Sequence, residues 1–202
     1  MMTKDGFRVY LRPLGPEDHK ISVRWRNDPK IYESIPQPRR FVSEKTEQEW
    51  VEKAVKENEL GISLKLAVCL NENDRFIGII QLVNIDLKNR SGEATTMIGE
   101  KEYWGQGLIG EARVLLFEHA FLDLGLERIS NKVLDTNTAS LRSYEKFGST
   151  REGVLRHAVY KDGMFHDMIL FSMLKEEFTE RYISKSYLKN PLEGHSERSA
   201  AK

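Results

Sequence analysis

Apolar and polar residues alternate through FRVYLRPL (7–14), and this period of two predicts an opening strand. The pattern turns helical through GPEDHKISVRWRNDPKIYES (15–34), with Pro16 near its start, acids in the first turn and Asp28-Pro29 as an interruption. IPQPRRF (35–41) is a loop. SEKTEQEWVEKAVKEN (43–58) predicts a second helix, with Ser43 as N-cap and Glu44 and Glu47 near the positive helix end. SLKLAVCL (63–70) and RFIGIIQLVNID (75–86) flank the turn NEND and predict a hairpin, which SGEATTMIG (91–99) extends as an antiparallel meander. The glycine-rich YWGQGLIGEA (103–112) follows, then an amphipathic helix, EARVLLFEHAFLDL (111–124), closed by Gly125. RISNKVL (128–134) reads as a buried strand and TNTASLRSYEKF (136–147) as a short helix stopped by Gly148. VLRHAVYKDGMFHDMILFSML (154–174) reads as two strands around the tight-turn pair Asp162-Gly163. The elements end near 175. Residues 176–202 form a polar extension, in which Phe178 and Tyr182 suit a short packed helix and disorder is expected from about Pro191.

Composition narrows the class. With 202 residues, one domain with a normal core is expected. Lys and Arg equal Asp and Glu at 31 each, so there is no basic excess to hold nucleic acid. No apolar run is long enough for a membrane helix, and the opening MMTKDGFRVYLRP lacks the apolar core of a secretory leader. The single cysteine, Cys69, excludes an internal disulfide. A cytoplasmic protein is the expectation.

Gly105, Gly107 and Gly110 spell G-x-G-x-x-G, the dinucleotide-binding fingerprint. The surroundings argue against that fold. Its first glycine should end a strand directly, whereas Glu100 to Trp104 intervene here, and the strands upstream form a meander rather than β-α-β units. The loop keeps its physical meaning. Glycines let the backbone approach an anion, and the following helix offers unpaired N–H groups, so a pyrophosphate would suit it. Asn137 and Tyr144, seven residues apart, fall on nearly one helix face; a core stripe of Leu141, Tyr144 and Phe147 is the plainer reading of that pattern alone.

Taken together, YWGQGLIGEA, a helix, a buried strand and NTASLRSYEKFG closely resemble the GNAT superfamily of acetyl-CoA-dependent N-acetyltransferases. Within it, VYLRPLGPED…RWRND and VLRHAVYKDGMFHDMILFSML resemble the ribosomal-protein N-terminal acetyltransferase branch, with spermidine and amino-sugar enzymes nearby. The likeness covers about 7–175. It implies an α/β (α+β) fold with a mixed, largely antiparallel central sheet and helices on both faces. It also implies that the loop, Trp104, Gly105, Gln106, Gly107, Leu108, Ile109 and Gly110, takes the pyrophosphate of coenzyme A. Ile109 stands where the family has a small residue, and Ser149 where an aromatic often follows Gly148. The strand ahead of the loop, at Met97, Ile98 and Gly99, would pair with the pantetheine arm. Asn137 would contact the same cofactor, and Tyr144 would act as general acid beside the sulfur.

Those residue types suit the chemistry. A departing thiol (pKa near ~8.5) can take its proton from a phenol (~10), and strand N–H groups left free by the protein can hold the developing oxyanion. Glu93, at the start of the strand toward the loop, is the candidate base, with a solvated strand-end charge as the plainer alternative. His166 beside Asp167 is a further candidate for substrate contact. Cys69 in its apolar strand reads as a small hydrophobe, Trp25 and Trp50 as packing residues or lining of the acceptor cleft, and the dispersed histidines show no metal-ligand spacing. The expected function is acetyl transfer to a primary amine of a protein N-terminus, an amino sugar or a polyamine. A non-catalytic acetyl-CoA-binding module is the alternative from another class. Arg39 and Arg40 would suit an anionic acceptor, whereas Glu33, Glu44 and Glu47 are too dispersed to make a polyamine site. A homodimer is compatible with the sequence; nucleic-acid and membrane partners are not expected.

Overall fold

A computed structural model describes residues 1–183. The chain runs β1 (Val9–Pro13), α1 (His19–Asn27), α2 (Pro29–Ser34), α3 (Glu44–Glu59), β2 (Leu64–Leu70), β3 (Phe76–Asp86) and β4 (Ser91–Ile98). It continues through α4 (Leu108–Glu118), β5 (Arg128–Leu134), α5 (Thr138–Phe147), β6 (Thr150–Lys161), β7 (Met164–Leu174) and α6 (Lys175–Phe178). Seven strands form one sheet in the order β1-β2-β3-β4-β5-β7-β6. Every neighbouring pair is antiparallel except β4–β5, the one step that needs a helical crossover, which α4 supplies.

Alternation along the strands divides the core into two layers. Val9 and Leu11 of β1 face α4 with Ile77, Ile80 and Leu82, whereas Tyr10, Ala67, Cys69 and Ile79 face α1 and α3 through Trp25, Val51 and Ala54. Helices therefore cover both faces. Cys69 is fully buried, and burial pushes its thiol above the ordinary range, which suits a packing role.

The helix boundaries have local causes. Ser43 Oγ accepts from the Thr46 N–H and starts α3. Asp28, extended before Pro29, separates α1 from α2 and caps α2 through Lys30 N–H. The helix expected from residue 15 begins only at His19. Asp18 accepts instead from the Gly15 N–H at 2.7 Å and from both terminal nitrogens of Arg12, which ties this turn to the end of β1.

The polar stretch from 176 starts inside the core. Phe178 and Tyr182 pack with Phe117, Phe121 and Phe147, and the Tyr182 hydroxyl donates to the Phe147 carbonyl at 2.7 Å. The disorder expected from about Pro191 lies outside the described residues. Among the described residues no helix is long and apolar enough to cross a membrane, and no cluster of side chains could hold a metal ion.

Candidate active site

The sheet opens at its centre. β4 and β5 pair only at Ser91–Arg128, Gly92–Ile129 and Glu93–Ser130, although β4 continues to Ile98 and β5 to Leu134. At the vertex of this splay Asn131 donates from Nδ2 to the Ala94 carbonyl at 2.5 Å. Successive residues of a strand turn their backbone groups to opposite neighbours, so Thr96 and Ile98 face the gap on the same side as Ala94. Met97 pairs with Ile79 of β3, and the Gly99 N–H donates to the Ile77 carbonyl at 2.8 Å. Of the three residues expected to meet a pantetheine arm, Ile98 is the one whose backbone turns into the opening, and its carbonyl already accepts from Trp104 Nε1 at 2.8 Å.

Gly99 has a steric reason. A Cβ there would lie 1.9 Å from Cδ2 of Trp25, whose ring packs against this backbone and whose Nε1 donates to Glu100 at 2.9 Å. Burial alone would raise Glu100, but the Trp25 indole and the Arg75 guanidinium outweigh it and hold its carboxyl below the ordinary range.

The glycine loop leads directly into α4. Gly107, at φ +82°, turns the chain into a helix that starts at Leu108, three residues before the Glu111 start that the sequence suggests. Leu108, Ile109 and Gly110 thus form the first turn, and their N–H groups belong to the positive helix end. Open space surrounds the Cβ position of Gly110. Gln106 spans the loop by donating to the Glu102 carbonyl at 2.7 Å. Just ahead of β1, Arg8 donates to the Gln106 carbonyl and, through Nε and Nη2, to Glu111 Oε1, while its own backbone N–H donates to Glu111 Oε2. Glu111 is buried, so this pair fixes the loop to the far edge of the sheet.

Tyr144 is brought to the vertex. Its buried phenol accepts from Asn131 Nδ2 at 3.1 Å, and its ring stacks on Phe171. Glu93, one residue before Ala94, lies on the opposite face of the sheet, where Lys132 Nζ holds its carboxylate at 2.7 Å. Asn137 is not inside α5 but caps it: its Oδ1 accepts from the Ser140 N–H, and its Nδ2 donates to the Ser34 carbonyl at 2.8 Å. Its amide therefore joins α5 to the end of α2.

The β6–β7 tip closes onto the same end of α2. Lys161, which is buried, donates to the carbonyls of Tyr32, Glu33 and Ile35, and Tyr32 donates to Asp162. Burial holds the Lys161 ammonium below the ordinary lysine range. His166 lies 3.4 Å from Asp135 at the same end of β7. Trp50 packs beneath the guanidinium of Arg26.

Sequence reasoning missed Asn131, Arg113, Arg8 and Lys161. Alternation did carry a signal for Asn131, which shares its strand face with Ile129 and Val133 and must therefore point inward. An arginine inside the apolar run EARVLLF was a similar signal.

Open strand edges beside a helix start rich in glycine fit a ligand with a peptide-like arm and a pyrophosphate. Comparison with known proteins accords with this. The acetyltransferase (GNAT) domain family matches residues 8–150. The SPbeta prophage-derived N-acetyltransferase YokL of Bacillus subtilis is 27% identical over 173 residues, spanning 86% of this chain and 93% of that one. Spermidine N-acetyltransferase from Vibrio cholerae, solved in complex with CoA and spermine, superposes with a TM-score of 0.76 at 21% identity, covering 85% of this chain and 98% of the other. Ribosomal-protein-S5-alanine acetyltransferase from Vibrio fischeri superposes equally, at 0.76 and 18% identity, over 88% and 98%.

Proposed function

The chain belongs to the GNAT acetyltransferase family and is an acetyl-CoA-dependent N-acetyltransferase, and on that premise we propose that its acceptor is the α-amino group of a protein or peptide. Acetyl-CoA supplies the acetyl group as a thioester. The residues proposed to bind it are the 104–110 loop and first turn of α4 at the pyrophosphate, and the inner edge of β4 at Ile98 along the arm. Tyr144, at the vertex, is proposed as the proton donor to the departing sulfur. Asn137 is proposed to contribute to cofactor binding by fixing where α5 begins.

The observation that carries the acceptor reading is the ion pair between Glu93 and Lys132. A carboxylate whose oxygen is occupied by a lysine ammonium at 2.7 Å is not free to reach a polyamine or lysine nitrogen, which near ~10.4 arrives charged. An α-amino group near ~7.7–8.0 is partly neutral at physiological pH and needs little help. Of the acids in this region, Glu47 is buried against Ser22 and Arg26, and Glu33 lies 3.2 Å from Lys30. A nucleotide-linked amino sugar is the second reading, favoured by Arg39 and Arg40 beside the exposed Phe41.

The test is thiol release from acetyl-CoA with peptides, amino sugars and spermidine at matched concentration near pH 7.5. Peptides should show the highest kcat/KM, and preference for spermidine would overturn the acceptor assignment. Tyr144→Phe should lower kcat by ~10²-fold or more with acetyl-CoA affinity nearly intact. Full single-turnover speed in that variant would make Tyr144 a packing residue.

A further inference from the structure

Arg113, in the second turn of α4, is among the most completely buried side chains of the protein. Nη1 donates to Ser143 Oγ at 2.8 Å, Nη2 reaches Thr96 Oγ1 at 3.4 Å, and Nε has no partner. Among the described residues it has no carboxylate partner. A buried cation without a counter-charge is unfavourable, and two neutral hydroxyls do not replace a carboxylate. What faces the guanidinium is the ring of Tyr144, with 3.7 Å between its central carbon and the ring centroid; Phe147 lies farther off at 5.8 Å. A neutral ring attracts a cation modestly. A ring bearing the delocalised charge of a phenolate attracts it far more.

Asn131 determines where the phenol proton points. An atom 2.5 Å from the Ala94 carbonyl oxygen must carry a hydrogen, which identifies it as Nδ2, and the same nitrogen faces the Tyr144 hydroxyl. The phenol oxygen is therefore an acceptor in this bond, and its own proton stays available to another partner.

We propose that Arg113 is a positioning residue for acetyl transfer: its guanidinium, stacked on Tyr144, stabilises the charge left on the phenol when the proton moves to the departing thiol sulfur. This rests on Tyr144 being the proton donor. In that step the carbon–sulfur bond breaks with its electron pair going to sulfur, sulfur takes the phenol proton, and the O–H pair stays on the phenol. The attacking amine, whose nitrogen forms the new bond to the carbonyl carbon, releases a proton to solvent on becoming an amide, and solvent returns one to the phenolate after the products leave. Charge that exists only during turnover explains why the resting protein keeps a guanidinium with no carboxylate beside it.

Arg113→Met removes the charge and keeps an apolar stem of similar reach. Its single-turnover rate should fall ~3- to 30-fold, the loss expected when a neighbouring charge that favours the ionised form is partly expressed in a proton transfer. Calorimetric affinity for acetyl-CoA should be nearly unchanged. The melting temperature of the ligand-free variant should equal or exceed that of the wild type, because an unpaired buried charge has gone. In a Tyr144→Phe background the same substitution should cost nothing further, and Arg113→Lys should recover part of the rate. An unchanged rate, an equal loss with and without the hydroxyl, a lower melting temperature or weaker acetyl-CoA binding would each overturn the proposal and make Arg113 a strut or a cofactor contact. A Tyr144→Phe enzyme at full speed would instead remove the proton-donor reading itself.

Discussion

Gly110→Ala should make the ligand-free protein more stable and a poorer binder of acetyl-CoA. Gly110 is the third residue of α4, has no left-handed backbone, and would place a Cβ in open space. Nothing in the fold asks for glycine there. Alanine in a helix is favoured over glycine by roughly 0.5–1 kcal/mol. For a chain of this size that corresponds to about 1–4 °C in Tm. The open space lies at the helix start, where a pyrophosphate would approach the backbone. A methyl group that displaces one charge-assisted contact should cost ~1.5–3 kcal/mol, or about 10- to 150-fold in Kd. Urea denaturation of the free protein and calorimetry with acetyl-CoA measure the two effects separately. An alanine variant that binds acetyl-CoA as tightly as the wild type would refute close approach at Gly110. One that binds weakly but is also destabilised would show that the glycine serves folding, and the steric reasoning would fail.

Asn137→Ala should cost ~1–2 kcal/mol in urea denaturation by removing the cap of α5, and Asn137→Asp should regain only the cap, because a carboxylate accepts from Ser140 but cannot donate to Ser34. Equal stability of all three would refute a capping role. Hydrogen bonding to Arg128 holds the Glu152 carboxyl at about 2, below its ordinary 4.5, so its contribution is present above about 4.5 and is lost as pH falls through about 2. Both partners are about one-third exposed, so Glu152→Gln should cost no more than ~1 kcal/mol near neutral pH, and the difference from wild type should shrink between pH 5 and pH 2. A difference that grows on acidification would contradict the assignment.

Strand alternation and capping chemistry made much of the scaffold legible. The 128–134 strand and the Ser43 cap were readable because each depends on neighbours in sequence. The α4 start was not. Three glycines read as a loop, yet only Gly105 and Gly107 have left-handed backbone, while Gly110 is already helical. Which glycine turns and which merely leaves room depends on what lies in front of it. Asn137 was read inside its helix although the cap it makes with Ser140 is local; what was not readable is its second partner, the Ser34 carbonyl, 103 residues away. Arg113 stood out inside its apolar run and Lys161 did not, but the role of either buried cation depends on the ring or carbonyls around it, and those come from other elements.

The splay between β4 and β5 means that this sheet has inner edges as well as outer ones. A row of unpaired strand groups ordinarily invites another chain, and proteins blunt it with charge, bulges or a covering loop. Here the exposed rows converge on a vertex clamped by Asn131 and sit beside the first turn of α4. The opening is thus a slot with a stop at one end and a positive terminus near the other. A strand added to it would have to run into the stop, whereas a slender amide-bearing arm can enter and leave along the slot. With the arm at its proposed place along Ile98, the acyl donor would act as a removable strand, and an architecture that would otherwise favour aggregation would become selective for a ligand that is not a polypeptide.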